Sequence, residues 1–171
     1  SEQLDSLVAS MPNALFLLKM HPGGMFGEYG AGIEKAARHH NALVLGRESS
    51  ISDAIAASDI WLTYESNTAM EAWLLKKPTG LLNPSGTDFP RADFYKGQPN
   101  FSTAGDWNGA INEFLETGEL PGFNELETER SRILTKIIGW DDGLNHVRTG
   151  NAILNLLGED QVGPAMEIPD E

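Results

Sequence analysis

Short apolar runs, each too short for a typical helix and each followed by a helical pattern, constrain this chain more than any other feature. Ala14-Leu15-Phe16-Leu17-Leu18-Lys19-Met20 is apolar except for Lys19. It reads as a strand buried on both faces. Ala42-Leu43-Val44-Leu45, Ile60-Trp61-Leu62-Thr63 and Thr79-Gly80-Leu81-Leu82 repeat the pattern, and Phe101-Ser102-Thr103 suits a short last strand. Helical patterns intervene over 33–40, from the Ser50–Asp53 cap candidates to Ala57, and over 69–75. Three more helical segments follow at 107–116, 125–138 and 143–157. Strand–helix alternation predicts an α/β fold, a doubly wound parallel sheet with right-handed crossovers, finished by C-terminal helices.

Breakers mark the connections. His21-Pro22-Gly23-Gly24 ends the first run, Gly46 the second, and Lys76-Lys77-Pro78 the helix over 69–75. Residues 83–100 hold Pro84, Gly86, Pro90, Gly97 and Pro99 and predict a long irregular loop. Residues 158–171 carry five acidic and no basic side chains, with Pro164 and Pro169, and predict an acidic disordered tail. The expected organisation is one lobe over 1–157 followed by that tail.

Charge and cysteine content exclude several functions. The chain of 171 residues has a net charge of −13. Residues 1–112 carry 8 basic and 12 acidic side chains, and residues 113–171 carry 4 and 13. No basic stripe exists to neutralise a row of phosphates, so a nucleic acid partner is not expected. The absence of cysteine excludes disulfides, a thiol nucleophile and a cysteine-type zinc site. The four histidines have no metal-ligand spacing, so no metal site is expected. No apolar run approaches the roughly 18 residues that cross a bilayer.

In a doubly wound sheet, ligands bind beyond the carboxyl ends of the strands. Two polar loops fall there. Glu65-Ser66-Asn67-Thr68 feeds the helix that begins near Ala69. A helix start presents unpaired N–H groups and a partial positive charge to an anion. Ser66, Asn67 and Thr68 add hydroxyl and amide donors, and Glu71 could accept from the two hydroxyls of a ribose. The same residues also suit an ordinary capping box, with Thr68 as cap and Glu71 reaching back to it. The second loop, after Lys19-Met20-His21-Pro22, could neutralise a diphosphate or protonate a leaving phosphate. Lys19 could equally snorkel, and His21 could simply bond a carbonyl. Gly30-Ala31-Gly32 lies too far from its strand to be a dinucleotide fingerprint, and Ser66 is not in a Gly-x-Ser-x-Gly elbow. Trp61 and Trp73 read as core or lobe-packing residues.

These loops, in this order, resemble a known family. Ser58-Asp59-Ile60-Trp61-Leu62-Thr63, then Ser66-Asn67-Thr68, Glu71-Ala72 and Lys77-Pro78, resemble the C-terminal, nucleotide-sugar-binding domain of GT-B glycosyltransferases. Lys19-Met20-His21-Pro22 is similar to the His-Pro motif of bacterial surface and capsular carbohydrate transferases. Asp142-Gly143-Leu144 with Arg148 resembles the opening of their last helix. The resemblance spans about 4–157. It implies a Rossmann-like lobe whose His21 faces the donor diphosphate as the catalytic residue, with Lys19 beside it. It implies that Ser66, Asn67 and Thr68 hold the phosphates, that Glu71 takes the ribose, and that the loop from Arg47 to Ile51 flanks the base. Thr63-Tyr64-Glu65-Ser66 differs from the Thr-Asp-Tyr-Ser-Ser run of the glycerol-phosphate branch, which points to a sugar donor.

The activity so implied moves a sugar from a nucleoside-diphosphate sugar to a surface-polysaccharide or glycolipid acceptor. The nucleotide sugar is the donor substrate, and no separate cofactor is implied. GT-B enzymes work between two lobes, so an N-terminal lobe of the same polypeptide is expected as partner and the isolated chain is expected to be inactive. The setting implied is bacterial and cytoplasmic, and peripheral membrane association of the full enzyme is compatible with it. Two other functions stay open: an enzyme of the UDP-N-acetylglucosamine 2-epimerase type, and a non-catalytic nucleotide-binding or interaction domain.

Overall fold

A computed structural model of the protein describes residues 2–19, 28–64, 66–83, 92–140, 142–160 and 163. His21 with its Pro-Gly-Gly turn, Glu65, most of the 83–100 loop and most of the acidic tail lie outside the described residues.

The chain alternates helix and strand: α1 (Glu2–Ser10), β1 (Phe16–Lys19), α2 (Glu28–Ala36), β2 (Ala42–Leu45), α3 (Ile51–Ala57), β3 (Trp61–Thr63), α4 (Thr68–Leu74) and β4 (Thr79–Leu82). Then come α5 (Ala92–Tyr95), β5 (Asn100–Phe101), α6 (Ala104–Thr117), α7 (Glu127–Ile138) and α8 (Asn145–Leu157). Every strand pairing among the described residues is parallel. Phe16 to Lys19 of β1 run in register with Ala42 to Leu45 of β2. β3, β4 and β5 form a second sheet in that order. The fold is α/β, with its short parallel strands in two small sheets where one continuous sheet was expected.

The chain divides into two compact units, Ser1–Ser131 and Arg132–Glu171, and the boundary falls inside α7. In the first unit three apolar clusters join helices to strands. Leu7 and Met11 of α1 and its exit pack with Trp107, Ala110 and Ile111 of α6 and with Phe101; Phe16, Leu62 and Leu82 lie against them. Val8, Leu18 and Ala36 form a second cluster that gathers Leu4, Ile33 and Ala42. Ala54 and Ile55 of α3 meet Trp61 of β3 and Ala72 of α4 in the third. Adjacent strand residues point to opposite faces. Trp61 and Leu62 thus cover β3 from both sides, Trp61 in the α3–α4 cluster and Leu62 against the α1–α6 cluster.

Local chemistry sets the element ends. Ser50 accepts from the Asp53 N–H and caps α3. Thr103 and Asp106 form a reciprocal capping box that starts α6 at Ala104, three residues before the expected 107. Where irregular chain was expected over 83–100, Ala92–Tyr95 forms a turn of helix. The sequence Lys76-Lys77 closes α4 by a Schellman arrangement: the Lys77 N–H donates to the Ala72 carbonyl at 2.9 Å and the Lys76 N–H to Trp73 at 3.0 Å. Lys76 sits there with φ of 57°, among the described residues the one non-glycine in the left-handed region. That conformation crowds a Cβ. Lys76→Gly is expected to raise stability by about 1 kcal/mol, read as a higher urea midpoint at unchanged slope. An unchanged or lower midpoint would mean that the lysine stem or charge matters more than the backbone strain.

Candidate functional site

The turn between β3 and α4 carries the densest hydroxyl chemistry among the described residues. Thr68 is the first residue of α4, and Asn67 precedes it as cap residue with helical backbone angles, φ −67° and ψ −13°. The Asn67 side chain makes no capping bond. The alternative of a capping box with Thr68 as cap and Glu71 reaching back is therefore not formed. Ser66 takes the local load: its Oγ accepts from the Thr68 backbone N–H at 3.3 Å. Ser66 Oγ also lies 3.0 Å from Thr68 Oγ1. Trp61, from the neighbouring strand, donates its Nε1–H to Thr68 Oγ1 at 3.1 Å.

A proton count gives this cluster its character. An indole N–H only donates, and each hydroxyl holds one proton and accepts through two lone pairs. Two donors enter the Ser66–Thr68 pair, from Trp61 and from the backbone of Thr68. One hydroxyl proton serves the bond between the two side chains. Whichever side chain donates it, the other hydroxyl proton is left over. The pair is thus a net donor toward whatever lies beyond it, the polarity an oxyanion needs. Ser66 and Thr68 are half-buried, while Asn67 and Glu71 are exposed at the same turn.

The second group sits at the ends of the paired strands β1 and β2. The Lys19 ammonium donates to the Gly46 carbonyl at 2.6 Å and reaches that of Arg47 at 3.4 Å. Two of its three N–H donors are thereby used to tie β1 to the loop after β2, and one is left. The Arg47 side chain is exposed. So Lys19 and Arg47 meet at one loop, and Ser66, Asn67, Thr68 and Glu71 meet at another. The hydrogen bonds of Lys19 and of the hydroxyl pair run within their own groups. His21 falls outside the described residues.

In the second unit, the Asp142-Gly143-Leu144 and Arg148 segment forms a latch on the turn before α8. Arg148 Nη1 and Nη2 contact Asp142 Oδ1 and Oδ2 at 2.9 and 2.6 Å, a bidentate pair. The guanidinium also stacks 4.2 Å over the Trp140 ring. Asn145 donates to the carbonyls of Ile138 and Trp140. The hydrogen bond from Arg148, helped by the Leu144 N–H, holds the Asp142 carboxyl down at about 2. These bonds all serve the turn itself.

Trp61 was expected only as a packing residue. It does pack, at 8% exposure, but its ring nitrogen also orients the hydroxyl pair. Thr63 was not expected at all. It is 5% exposed at the end of β3, and its Oγ1 has no hydrogen-bond partner. The signal for both was the alternation of side chains along β3, which sets 61 and 63 on one face.

Among the described residues no helix is long and apolar enough to cross a membrane. No family model, curated protein or solved structure matches the chain.

Proposed function

We propose that this chain is the donor-binding lobe of a GT-B-type glycosyltransferase that moves a sugar from a nucleoside diphosphate to a surface-polysaccharide or glycolipid acceptor. The observation that carries the reading is the Ser66–Thr68 pair with its surplus hydroxyl proton at the carboxyl end of a parallel strand. In that position a diphosphate finds donors already oriented, so little reorganisation opposes binding or the build-up of charge as the sugar leaves. Glu71, exposed in the first turn of α4, takes the ribose hydroxyls. The Arg47 loop, tied down by Lys19, flanks the base, and the remaining Lys19 proton adds charge toward the phosphates. His21 is assigned to the departing diphosphate, and the acceptor-side groups to a companion N-terminal lobe.

The finer fold in this reading is one doubly wound sheet. The two-sided cover of β3, with α3 and α4 helices meeting Trp61 and α6 lying behind Leu62, supports it. The full enzyme would act in the cytoplasm, where nucleotide sugars are available, with no separate cofactor.

A thermal-shift screen of nucleoside diphosphates and their sugars tests the reading. A ligand that binds the folded state alone raises Tm with concentration. The expected result is a rise with at least one nucleoside diphosphate and none with the matching nucleoside. No shift with any diphosphate at millimolar concentration would contradict the assignment. Conversion of a UDP-sugar by the full enzyme without acceptor would instead favour the epimerase.

A further inference from the structure

Thr63 carries an unused hydroxyl in a place where water does not reach it. Its residue exposure is 5%, and Oγ1 is paired with nothing. A buried polar group without a partner is costly and rare. β3 sets Trp61 and Thr63 on the same face, because strand side chains alternate. The Trp61 indole on that face ends at Thr68 Oγ1. Thr63 stands one step further toward the carboxyl end, on the side of the hydroxyl pair. Two separate observations therefore meet at this turn: a surplus O–H on the Ser66–Thr68 pair, and an orphaned hydroxyl beneath it.

We infer that Thr63 is a third hydroxyl of the same oxyanion site, satisfied when a phosphoryl group enters and unsatisfied without it. This rests on the donor-binding reading above and adds to it a residue and a ligand class. The ligand part recognised is a phosphoryl oxygen, an acceptor able to take two O–H donors at once. A free hydroxyl or a sugar alone supplies less charge and pairs less well with donors.

Thr63→Val tests this because it separates structure from binding by sign. Valine keeps the shape and removes the orphan. Without ligand the variant is expected to melt higher than the parent. Titrated calorimetrically with inorganic pyrophosphate and with UDP, CDP and GDP, it is expected to bind about tenfold more weakly, the loss of one charge-assisted hydrogen bond. Thr63→Ser, which keeps the hydroxyl, is expected to retain binding. If the parent binds a diphosphate and Thr63→Val binds it equally well, the role of Thr63 is refuted while the donor-site reading stands. If the parent binds no diphosphate at all, both fall together. Lower stability of Thr63→Val without ligand would also count against the inference, since the hydroxyl would then have a partner in the free protein.

Discussion

Asn41→Leu is expected to lower the stability of the first unit by about 2–4 kcal/mol, and the isosteric Asn41→Asp by more. Asn41 is 6% exposed, and its amide nitrogen lies 3.0, 2.9 and 3.1 Å from the carbonyls of Val8, Met11 and Ala14. One side chain therefore gathers the carbonyls at the exit of α1 and carries the chain into β1. Phe16, the first residue of β1, donates its N–H back to the Asn41 backbone carbonyl at 2.8 Å. The carbonyls of Val8 and Met11 also accept from Met11 and Ala14 N–H groups at 3.4 and 3.1 Å, which limits the loss. Leucine fills the volume but leaves buried acceptors short of donors. Aspartate replaces two donors by oxygen lone pairs facing carbonyl oxygens, so the same shape becomes repulsive. Urea unfolding of the two variants beside the parent reads both effects. A leucine variant within about 0.5 kcal/mol of the parent, the range of ordinary surface substitutions, would show that water replaces the amide at no cost.

Gln98→Met is expected to act in the opposite direction, raising stability by about 1–3 kcal/mol. Gln98 is 3% exposed, and both its Oε1 and its Nε2 are without a partner. Its backbone is held by the Tyr95 carbonyl, and the preceding residue is pinned as well. Arg130 Nη1 donates to the Gly97 carbonyl at 3.1 Å and to that of Phe123, and its guanidinium lies 3.6 Å over the Phe123 ring. Burial lowers the affinity of that guanidinium for its proton, while Glu127 partly restores it. A Cβ on Gly97 would come within 2.7 Å of the Arg130 stem and 2.8 Å of Trp73, so the segment has little room to turn the amide outward. Methionine matches glutamine in length and has no hydrogen-bonding demand of that strength. A higher midpoint in urea and a Tm raised by several degrees, at roughly 2–4 °C per kcal/mol for a chain of this size, is the expected readout. A lower midpoint would mean that the amide is satisfied in solution, by water held beside it.

Much of the scaffold was legible in the sequence because strands here are continuous apolar runs. Ala42–Leu45 and Thr79–Leu82 form strands with the expected bounds, and β3 starts at Trp61 within the run beginning at Ile60. Helix starts were less legible. α2 begins at Glu28, ahead of the apolar periodicity at 33, and ends at Ala36 before the expected His40. Its Ile33 and Ala36 are the residues that meet α1, so periodicity found the packed turn and missed the rest. The start of α6 was written in Thr103 and Asp106, a capping pair with aspartate in place of the usual glutamate or glutamine. The division of the ladder into two sheets depends on contacts between strands distant in sequence, which local pattern does not encode.

The candidate site was legible as residue types, not as connections. Ser66, Asn67 and Thr68 could be singled out because hydroxyl and amide side chains precede a helix. The Trp61 bond to Thr68 could not, because it joins a strand residue to a helix residue across a turn. Nor could the use of Lys19, whose ammonium turns to two backbone carbonyls of a neighbouring loop. Both facts change roles: Trp61 becomes a donor that sets hydroxyl polarity, and Lys19 becomes a tie between strand ends that keeps one proton for a ligand.

Amide chemical shifts of nitrogen-15-labelled protein, followed during titration with UDP, CDP and GDP, reach the proposed diphosphate cradle most directly. Saturable perturbations that cluster on Ser66 to Glu71 and on Gly46 and Arg47, with at least one of the three, are the expected result. Amides of those two loops that stay unmoved, or shifts spread evenly over the surface, would contradict the account.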